Sequence, residues 1–576
     1  MSRDSERALF LRRLARLTLL FWRAPESSGA RILLAVTAFF ELATVGGNVL
    51  IANVQRRAFD ALQLKQALLF FQMAALFFAT VIAFLFVSTW RIYVRQMVEM
   101  RWRRWLTDHY LARWMSSQAW SVAELHRGEV DNPDQRIAED VRNYVASALG
   151  LSLSLLAAVS TFASFAGLLW ALSGDWRIPV AGREVYLPGF MMWVAILYAL
   201  LSAWLTHRVG RRLVPINFDR LRVEADFRFS LMRFRDKVEA IVFSRGETHE
   251  RVGAVARFER VIENWWQLIR AQRNLTLTTG AVGNLNNAVP LLVAAPGFFA
   301  GWLTLGQIAQ ARIAYGEVSG SLNWFVNAYQ EIAAWRASIQ RLLSLAEVFD
   351  ATRSELAREG HVRIRESSRL RLSGVRLTLP DGRVLLDAPN LEVAPGERIA
   401  VLGPAGGGKT ALLRAIAGMW PFGSGEIAVP PREHTLFLTQ IPHLPAGTLR
   451  MVTCYPARAD VFGDERIREA LALCDLDGLG GELDRCEAWE QVLSPSEQQR
   501  LAIVRALLQR PEWLFLDDAT SALDEGAERR AYELLARRLP RAALVTATRR
   551  PSAVAHHTRR WLLVAGADGR VLLKAA

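Results

Sequence analysis

Long stretches that are nearly free of charged residues dominate the N-terminal half of the chain. In order they cover 32–55 (interrupted by Glu41), 67–90, 143–174, 185–206 and 274–311, the last continuing towards 330. About 20 apolar residues are enough for one membrane-spanning helix. The fifth stretch is too long for one span and contains Pro290 and the sequence APG at 295–297, so we expect it to form two helices. The pattern therefore predicts six spans.

The chain begins with a different pattern, in which apolar residues and arginines interleave at helical spacing (LFLRRLARLTLLFWR, residues 9–23). No continuous apolar core and no small-residue cleavage site follow, which argues against a secretory signal. We expect residues 1–30 to form an amphipathic elbow helix lying on the cytoplasmic membrane surface. A helix on the surface of a soluble domain is the alternative.

From about residue 365 short β-like runs, such as RLRLSGVRLTL and RIAVLG, alternate with turns and then with helical patterns. This alternation indicates a soluble α/β domain. We therefore expect a six-helix α transmembrane domain with long cytoplasmic helical extensions at 31–344, a linker at 345–364 and the α/β domain at 365–576.

The distribution of basic residues orients the predicted spans. Residues 91–142 hold nine Lys or Arg and residues 207–273 hold fifteen, whereas the alternate loops at 54–66 and 173–189 hold three and two. Because loops rich in Lys and Arg stay in the cytoplasm, both charged segments and both termini are predicted to be cytoplasmic. This membrane asymmetry accounts for the net charge of +14. Since no aromatic-basic recognition element accompanies it, no binding of nucleic acid is expected.

A glycine-rich turn follows the strand-like run RIAVLG and precedes a helical pattern. It fits G-x-x-x-x-G-K-[ST] from Gly403 to Thr410. Glycines let backbone N–H groups approach phosphate oxygens, and the start of the next helix adds a positive dipole end. Lys409 is expected to reach the outer phosphates of ATP, and Thr410 to offer its hydroxyl to Mg²⁺. The predicted nucleotide-binding residues of the loop are Gly403, Pro404, Ala405, Gly406, Gly407, Gly408, Lys409 and Thr410.

A second motif, WLFLDDATSALD at 513–524, follows about a hundred residues later. Its apolar run ends in Asp517, as expected of a buried strand that delivers a carboxylate to a metal ion. Alone, such a run also suits an ordinary core strand. Its position after a phosphate loop favours Asp517 as a ligand of Mg²⁺.

These two motifs and two further segments resemble the ATP-binding domain of ABC transporters. The further segments are FLTQIPHLPAGTLR at 437–450 and LSPSEQQRLAIVRALLQRP at 493–511. SALD at 521–524, the end of the second motif, resembles the D-loop. The whole chain is similar to a half-transporter, with an exporter-type transmembrane domain followed by one α/β P-loop nucleotide-binding domain. Within the superfamily it resembles subfamily D and the YddA-, SbmA- and BacA-like bacterial proteins. The segments that carry this finer resemblance are NPDQRIAEDV at 132–141, EADFRFSLMRFRDKVEAIVFSRGE at 224–247, PLLVAAPGFFAG at 290–301 and GMWPFGSGEI at 418–427.

The resemblance implies a dimer in which two nucleotide-binding domains sandwich two ATP molecules. Each ATP is bound by the phosphate loop of one subunit and the signature of the other. Gln440 becomes the Q-loop glutamine, with a catalytic and a metal-side role. Segments around 117–130 and 239–249 become the candidates for coupling to the membrane domain. The signature residues that contact nucleotide are then Ser494, Ser496, Glu497 and Gln498.

Three positions depart from the family's pattern. Asp518 stands where the family has a glutamate base, and its side chain is one methylene shorter. Thr548 aligns with the switch histidine at the end of AALVTATRR (542–550), and Ser496 replaces the second glycine of the signature. With Asp518, Thr548 and Gln440 as its catalytic set, the site is expected to bind ATP and Mg²⁺ but to hydrolyse slowly. Pairing with a better-equipped half-transporter is our hypothesis, and a slow homodimer is its rival.

Polar residues inside the predicted spans mark a candidate transport pathway. A charged residue in a span, such as Glu41, is usually functional. Tyr315, Ser319, Asn323 and Asn327 recur every four residues and so share one helical face. We expect this stripe to line a wet substrate cavity. Contacts that hold helices together are the alternative, for the stripe and for Glu41.

The resemblance also indicates the classes of substrate and the membrane in which the protein lies. It implies peptides, cobalamin-like hydrophilic molecules or fatty acyl conjugates as cargo, and the polar stripe favours hydrophilic cargo. We expect an integral protein of the bacterial inner membrane. The alternative function is proton-driven uptake with a regulatory nucleotide-binding domain, in which Glu41 would carry the proton.

Overall fold

The computed structural model describes residues 3–115, 132–173, 177–180, 183–186, 188–356, 361–379, 381–404, 406–565 and 571–575. The chain divides into two compact units. One comprises residues 1–110 and 134–343, and the other comprises residues 111–133 and 344–576.

The first unit is helical, and the ends of its third and tenth helices extend into the second unit. Its helices are α1 (Arg3–Arg23), α2 (Ser28–Gln63), α3 (Ala67–Met115), α4 (Val141–Ser173), α5 (Phe190–Gly210), α6 (Leu213–Asp236), α7 (Val238–Phe243), α8 (Glu247–Phe299), α9 (Leu305–Leu322) and α10 (Trp324–Leu356). A 3₁₀ turn (Pro25–Ser27) joins α1 to α2. A short helix (Pro133–Gln135) and a π-helical turn (Arg136–Asp140) lead into α4. An antiparallel hairpin of β1 (Arg177–Val180) and β2 (Arg183–Tyr186) separates α4 from α5.

Helix α9 lies at the centre of this unit and contacts α2, α4, α5 and α8. Small side chains permit the close approach: Ala311 and Ala314 of α9 are buried in one cluster with Ala52, Ala195 and Ala294 from the surrounding helices. Small residues at helix contacts are typical of membrane domains, where van der Waals packing replaces the hydrophobic drive between helices.

Within the described residues, four helical segments are long and apolar enough to cross a membrane. They are Pro25–Gln63, Ala67–Met115, Pro133–Ser173 and Phe190–Asp236. The predicted count of six spans is therefore not confirmed. The two further helices that the sequence predicted correspond to parts of α8, α9 and α10, which carry more polar residues.

The break between α8 and α9 lies later than the predicted 295–297. Helix α8 continues through Pro290 and Pro296 and ends at Phe299. Gly301 then adopts a left-handed φ of 80°, and the N–H of Trp302 donates to the carbonyl of Gly297 at 2.8 Å. Neighbouring helices let an apolar helix tolerate proline, whereas a left-handed glycine closes the last turn and ends it.

A helix occupies most of the predicted amphipathic segment, and its inner face packs against α3 and α4. The ring of Phe21 stacks on Trp102 with centroids 5.9 Å apart. The hydroxyls of Thr18 and Tyr144 lie 2.8 Å from each other. The contacts of α1 therefore include specific side chains of the membrane domain.

The second unit is an α/β domain. Its strands are β3 (Arg363–Glu366), β4 (Leu370–Thr378), β5 (Val384–Ala388), β6 (Leu391–Val393), β7 (Arg398–Leu402), β8 (Gly423–Val429), β9 (Thr435–Leu438), β10 (Gly447–Thr448), β11 (Cys486–Glu487), β12 (Trp513–Asp517), β13 (Ala543–Ala547), β14 (Arg559–Ala565) and β15 (Val571–Ala575). Its helices are α11 (Lys409–Ile416), α12 (Leu449–Cys454), α13 (Asp464–Leu473), α14 (Trp489–Val492), α15 (Pro495–Gln509), α16 (Glu525–Arg538) and α17 (Pro551–Val554).

Eleven of the described strands form one mixed sheet in the order β3-β8-β4-β5-β15-β14-β7-β13-β12-β9, with β6 paired to β4. The run β14-β7-β13-β12-β9 is parallel throughout. Alternate residues of β12 enter different cores: Trp513 and Phe515 join one buried cluster, and Leu514 and Leu516 join another. The two cores therefore cover opposite faces of the sheet. The carboxyl ends of β7, β13, β12 and β9 all meet at one edge, where α/β sheets bind their ligands.

Candidate nucleotide site and membrane pathway

The glycine-rich loop connects β7 to α11 at this edge of the sheet. Gly406 and Gly408 have φ values of 72° and 90°, the left-handed region that glycine adopts without strain. Gly403 lies so close to β14 that an added Cβ would come within 2.6 Å of the Leu563 Cβ. Ala405 lies outside the described residues. The sequence of glycines is therefore explained by backbone conformation and by close packing.

Lys409 begins α11 and folds back over the loop. Its Nζ donates hydrogen bonds to the carbonyls of Gly403 at 2.7 Å and Pro404 at 2.9 Å. Burial, and next the positive charge of Arg549, lower the pKa of Lys409, whereas the charges of Asp518 and Asp517 raise it. The ammonium group thus lies among charged side chains and is hydrogen-bonded to the carbonyls of its own loop.

Thr410 and Asp517 come together as the sequence predicts. The Thr410 hydroxyl donates to the Asp517 Oδ1 at 3.2 Å, so the first turn of α11 meets the end of β12. Burial raises the pKa of Asp517, and the neighbouring Asp518 charge adds to that effect. A hydroxyl and a carboxylate at this spacing suit Mg²⁺, which takes few protein ligands and keeps waters and phosphate oxygens. Among the described residues no group of three or more His, Cys, Asp and Glu is placed to hold a metal ion.

Asp518 follows β12 with a left-handed φ of 47°. Its N–H donates to the carbonyl of Ala547 at 2.9 Å, and its carbonyl accepts from Ser521 at 3.0 Å. Aspartate tolerates this conformation better than most residues. These bonds place the carboxylate at the same sheet edge as Lys409 and Asp517.

Thr548 occupies a different position from the one expected of a switch residue. Only 2% of it is exposed. Its N–H donates to Val401 at 3.1 Å, and its hydroxyl accepts from the N–H of Arg550 at 3.1 Å. Because its hydroxyl is hydrogen-bonded to the backbone N–H of Arg550, the Thr548 side chain does not extend into the site. The exposed side chain just after β13 is that of Arg549.

Gln440 follows β9 and, with Thr410 and Asp517, lines an open cleft of about 1170 Å³. Its backbone carbonyl accepts a hydrogen bond of 2.8 Å from the side chain of Gln499, a buried residue of α15. The same Gln499 amide donates to the Ser521 hydroxyl at 3.1 Å and accepts from the Ala522 N–H at 2.8 Å. Gln499 therefore joins three of the motifs. Gln499 lies within the signature segment, directly after Gln498, but the sequence does not show which segments its side chain contacts.

Ser494 and Glu497 of the predicted signature form a capping box at the start of α15. The Ser494 hydroxyl accepts from the Glu497 N–H at 3.3 Å, and the Glu497 carboxylate accepts from the Ser494 N–H at 2.8 Å. The Gln498 amide donates to the carbonyls of Glu490 and Leu493 at 3.0 and 2.9 Å. Ser496 is half-buried in the first turn. These bonds cap the start of α15, and the N-terminus of a helix is a position at which phosphate can bind.

Arg550 anchors the segment that follows β12. Its guanidinium donates to the carbonyls of Leu523 at 2.6 Å and Thr520 at 3.4 Å, and also to that of Ser521. One side chain thereby connects the segment after β13 to the segment after β12.

Comparison with known proteins now identifies the family. Residues 18–299 match the family described as ABC transporter transmembrane region 2, and residues 386–521 match the one described as ABC transporter. An uncharacterized ABC transporter ATP-binding protein of Synechocystis sp., sll0182, is 34% identical over 88% of this chain and 76% of its own length. The chain belongs to the ABC transporter family.

Other relatives confirm the finer resemblance of this ABC transporter. The inner membrane ABC transporter ATP-binding protein YddA of Escherichia coli is 29% identical over 92% of this chain and 93% of its own length. ABC transporter D family member 2, chloroplastic, of Arabidopsis thaliana is 29% identical over 89% of this chain and 80% of its own length. The solved structure of a bacterial Atm1-family ABC exporter with ATP bound has a TM-score of 0.69 at 18% identity, covering 93% of this chain and 94% of that one. The transporter therefore has the exporter-type fold, and its ATP-binding domain is of a kind that generally hydrolyses ATP and works in dimers.

In the transporter's membrane unit, Glu41 is an ion-pair partner. Its carboxylate accepts from the Arg91 Nη1 at 2.8 Å, and only 7% of its side chain is exposed. The pair borders a cavity of about 210 Å³ that Arg95 and Ser154 also line. The structure thus gives Glu41 an ion-pair partner beside a small cavity, and its role in transport stays a prediction.

The four polar residues of the predicted stripe do not share one environment. Tyr315 and Ser319 are 2% and 5% exposed, and Tyr315 packs in the apolar cluster around α9. Asn323 is half-buried at the junction of α9 and α10, and Asn327 is exposed. This corrects the expectation that all four line an open cavity, because the upper half of the stripe faces other helices of the same chain.

Proposed function

We propose that this chain is a half-transporter that moves its substrate by alternating access, driven by ATP-dependent dimerisation of two nucleotide-binding domains. The family membership, the exporter-type fold and the phosphate loop beside Thr410 and Asp517 support the proposal. ATP binds through Gly403–Thr410, and Mg²⁺ through Thr410, Asp517 and the side chain of Gln440. The signature of the partner subunit, equivalent to Ser494, Ser496, Glu497 and Gln498 here, completes each site.

The membrane arrangement follows the charge asymmetry. We propose six spans within 31–344, formed by the four apolar segments together with α8 and α9, and a linker at 345–364 before the nucleotide-binding domain at 365–576. The excess of Lys and Arg in 91–142 and 207–273 supports cytoplasmic placement of that domain and of both termini. The name of YddA, an inner membrane protein, supports the bacterial inner membrane.

Hydrolysis in this chain's own site is proposed to be slow. The observation that carries this point is Asp518, whose backbone is fixed at the end of β12 while its carboxylate is one methylene shorter than the family's glutamate. A general base must come within about 3 Å of the water it activates. Because the Asp518 side chain is shorter than that of glutamate, we propose a heterodimer in which a better-equipped half-transporter supplies the second, active site.

ATPase activity of the purified chain alone, in lipid nanodiscs, tests this proposal. We expect slow turnover that Asp518→Glu raises by about tenfold or more, since one well-placed catalytic group is worth about that much or more. Asp460→Glu, at an exposed position, is the matched control and should change nothing. Rapid hydrolysis by the unaltered homodimer would refute both slow hydrolysis and the need for a partner.

The cargo is proposed to be a peptide, a cobalamin-like hydrophilic molecule or a fatty acyl conjugate. Candidate cargoes are distinguished by which of them stimulates the ATPase. The ion pair of Glu41 with Arg91 does not favour the alternative of proton-driven uptake, because the carboxylate assigned to the proton already has a structural partner.

A further inference from the structure

Six side chains form a stripe along one side of α3. They recur every three or four residues, so they lie above one another on the helix surface. The first four are aromatic or apolar and the last two are cationic; in chain order they are Phe86, Trp90, Tyr93, Met97, Arg101 and Arg104. The stripe is therefore apolar towards the middle of the predicted span and positively charged towards the C-terminal end of α3.

The apolar part of the stripe borders an open groove of about 540 Å³. The rings of Trp90 and Tyr93 pack edge to face, with centroids 5.5 Å apart, at the end of the groove nearest the arginines. Trp90 is 52% exposed and Tyr93 is 54% exposed. All the lining residues belong to α3, and they are Ile82, Leu85, Phe86, Thr89, Trp90 and Tyr93. An exposed apolar surface of this kind is typical of a site that binds a membrane or a partner.

The junction between α1 and α2 places the cationic end of the stripe. An added Cβ at Gly29 would come within 2.6 Å of the Arg101 Nη1, so the guanidinium lies against the first turn of α2. The neighbouring Trp102 contacts Trp22 of α1, with ring centroids 5.4 Å apart. Tryptophan is enriched where a helix passes from the membrane into water. Arg101 therefore lies at the level at which α2 begins its apolar segment.

Positive charge is in excess around this end of the stripe. Residues 22–31 and 99–104 together hold five arginines and two glutamates. Arg101 and Arg104 are exposed, and within the described part of the chain no ion pair or hydrogen bond engages either guanidinium. The planar donors of a guanidinium match phosphate oxygens in bidentate geometry. The two arginines are thus suited to an anionic phosphate group.

The spacing along the stripe matches one leaflet of a bilayer. The eleven residues from Trp90 to Arg101 rise about 16 Å at 1.5 Å per residue. Half of the hydrocarbon core of a bilayer is about 15 Å thick. A phosphate bound at Arg101 therefore allows an acyl chain of the same molecule to reach the groove.

We propose that this stripe binds an acidic glycerophospholipid of the cytoplasmic leaflet. Its phosphate contacts Arg101 and Arg104, and one acyl chain lies in the groove beside Trp90 and Tyr93. The bound lipid joins α3 to the junction of α1 and α2. The arginines favour an acidic headgroup over a zwitterionic one, and the groove favours a lipid over free phosphate. The proposal goes beyond the proposed transport function and depends on neither ATP nor cargo.

Lipid titrations of the delipidated full-length chain in detergent test the proposal. The probes are dioleoyl phosphatidylglycerol, dioleoyl phosphatidylcholine and glycerol 3-phosphate; mass spectrometry of the intact complex measures binding, and melting measures stabilisation. We expect phosphatidylglycerol to bind about tenfold or more tightly than phosphatidylcholine, since each basic residue at an anionic membrane surface strengthens binding roughly fivefold. Glycerol 3-phosphate should not raise the melting temperature, because it has no chain for the groove.

The double variant Arg101→Gln with Arg104→Gln should lose the preference for phosphatidylglycerol and keep its affinity for phosphatidylcholine within about twofold. Trp90→Ala should weaken binding of both lipids, because the chain loses an aromatic wall. Arg103→Gln is the matched control, since Arg103 is also exposed on α3 but lies outside the stripe; it should keep the preference. Melting without lipid shows whether each variant is folded, and the two single Arg→Gln variants decide the question if the double variant is not.

Four results would overturn the proposal. They are equal affinity of the unaltered chain for the two lipids, an undiminished preference in the double variant, an equal loss of preference in Arg103→Gln, and stabilisation by glycerol 3-phosphate as large as that by phosphatidylglycerol. The third result would mean that only the overall charge matters, and the fourth would mean that the arginines bind a free anion. Lipid binding that is insensitive to Trp90→Ala would likewise refute the groove, and would indicate that another copy of the chain covers this face of α3.

Discussion

The side-chain amide of Gln499 donates a hydrogen bond of 2.8 Å to the backbone carbonyl of Gln440. The same side chain accepts from the N–H of Ala522, so helix α15 holds the segments after β9 and β12 together. We predict that Gln499→Leu lowers the free energy of unfolding of the nucleotide-binding domain by about 1–3 kcal/mol, because buried backbone groups lose their partners. Chemical denaturation followed by tryptophan fluorescence measures the change.

ATPase activity is a second measurement, and it separates the linking role of Gln499 from a contribution to packing alone. Gln499→Leu should also reduce ATPase activity, since Gln440 and the 521–524 segment lose their shared anchor. Gln491→Leu, at an exposed position nearby, is the control and should alter neither quantity. A Gln499→Leu protein of unchanged stability would show that the hydrogen bonds contribute nothing net.

Asp517→Asn should remove the Mg²⁺ dependence of nucleotide binding. Its carboxylate and the Thr410 hydroxyl are 3.2 Å apart, and a neutral amide is a much weaker ligand for a hard cation. Because burial raises the pKa of Asp517, protonation should also weaken Mg²⁺ binding in the unaltered chain as the pH falls into the acidic range. Titration of Mg²⁺ at fixed nucleotide concentration measures both effects. Retention of the full Mg²⁺ response in Asp517→Asn would contradict the assignment.

His557 predicts acid sensitivity of the nucleotide-binding domain. Burial lowers the pKa of His557 to about 4, and its ring nitrogens lie 2.8 Å from the Ala553 carbonyl and 2.8 Å from the Thr546 hydroxyl. In the unfolded chain the histidine binds its proton with the ordinary pKa of about 6.5. The neutral folded ring therefore contributes stability that is fully present above about pH 6.5 and is lost as the pH falls towards 4, by up to about 1.4 kcal/mol per pH unit.

Melting temperatures between pH 7.5 and 5 measure this effect. His557→Gln should flatten the pH dependence, although it lowers stability at neutral pH. His434→Gln, at an exposed position, should keep the slope of the unaltered chain. Equal slopes in the two variants would mean that other groups cause the acid sensitivity.

The Glu41–Arg91 pair predicts non-additive effects in the membrane domain. The Glu41 side chain is 7% exposed and that of Arg91 is 28% exposed, so removing either one leaves a poorly solvated charge behind. We expect Glu41→Leu and Arg91→Leu each to lower the free energy of unfolding of the domain. The double variant should lose about 2 kcal/mol less than the sum of the two single losses. Unfolding in detergent gives the coupling energy. Strict additivity would show that the pair is energetically independent.

Gly306 predicts a steric requirement at the start of α9. An added Cβ would overlap the backbone carbonyl of Arg56 and the carboxylate of Asp60, to which the Gly306 N–H also donates at 3.1 Å. Gly306→Ala should therefore destabilise the membrane domain by about 1–3 kcal/mol. Gly316→Ala lies on the same helix with open space around its Cβ and should be neutral or mildly stabilising. Melting of the two proteins in one detergent makes the comparison, and equal effects would refute the packing argument.

Local patterns were sufficient to predict the nucleotide site's two main components. The strand, glycine turn and helix around Gly403–Thr410 can be predicted from the local sequence alone, because a positive φ and a close approach of the backbone both require glycine. The apolar run that ends in Asp517 likewise predicts a buried strand, and parallel strands bring its carboxyl end to the phosphate loop. The domain order follows from apolar length and from the change to β-like runs near residue 365.

Other features depended on contacts between distant segments. A motif alignment placed Thr548 at the switch position. In the structure Thr548 is buried, its N–H donates to the Val401 carbonyl and its hydroxyl accepts from the Arg550 N–H, whereas Arg549 is exposed. Periodicity grouped Tyr315 with Asn327, but packing against other helices buries the first and leaves the second exposed.

The sequence by itself thus determined the family, the order of the domains, the glycine-rich loop and the buried strand that ends in Asp517, since each of these is encoded by neighbouring residues. Only the tertiary structure decided the link from Gln499 to Gln440, the pairing of Glu41 with Arg91 and the burial of Thr548. The physical reason is that burial and hydrogen-bond partners are supplied by segments far away in the chain, and no local pattern records which ones will meet.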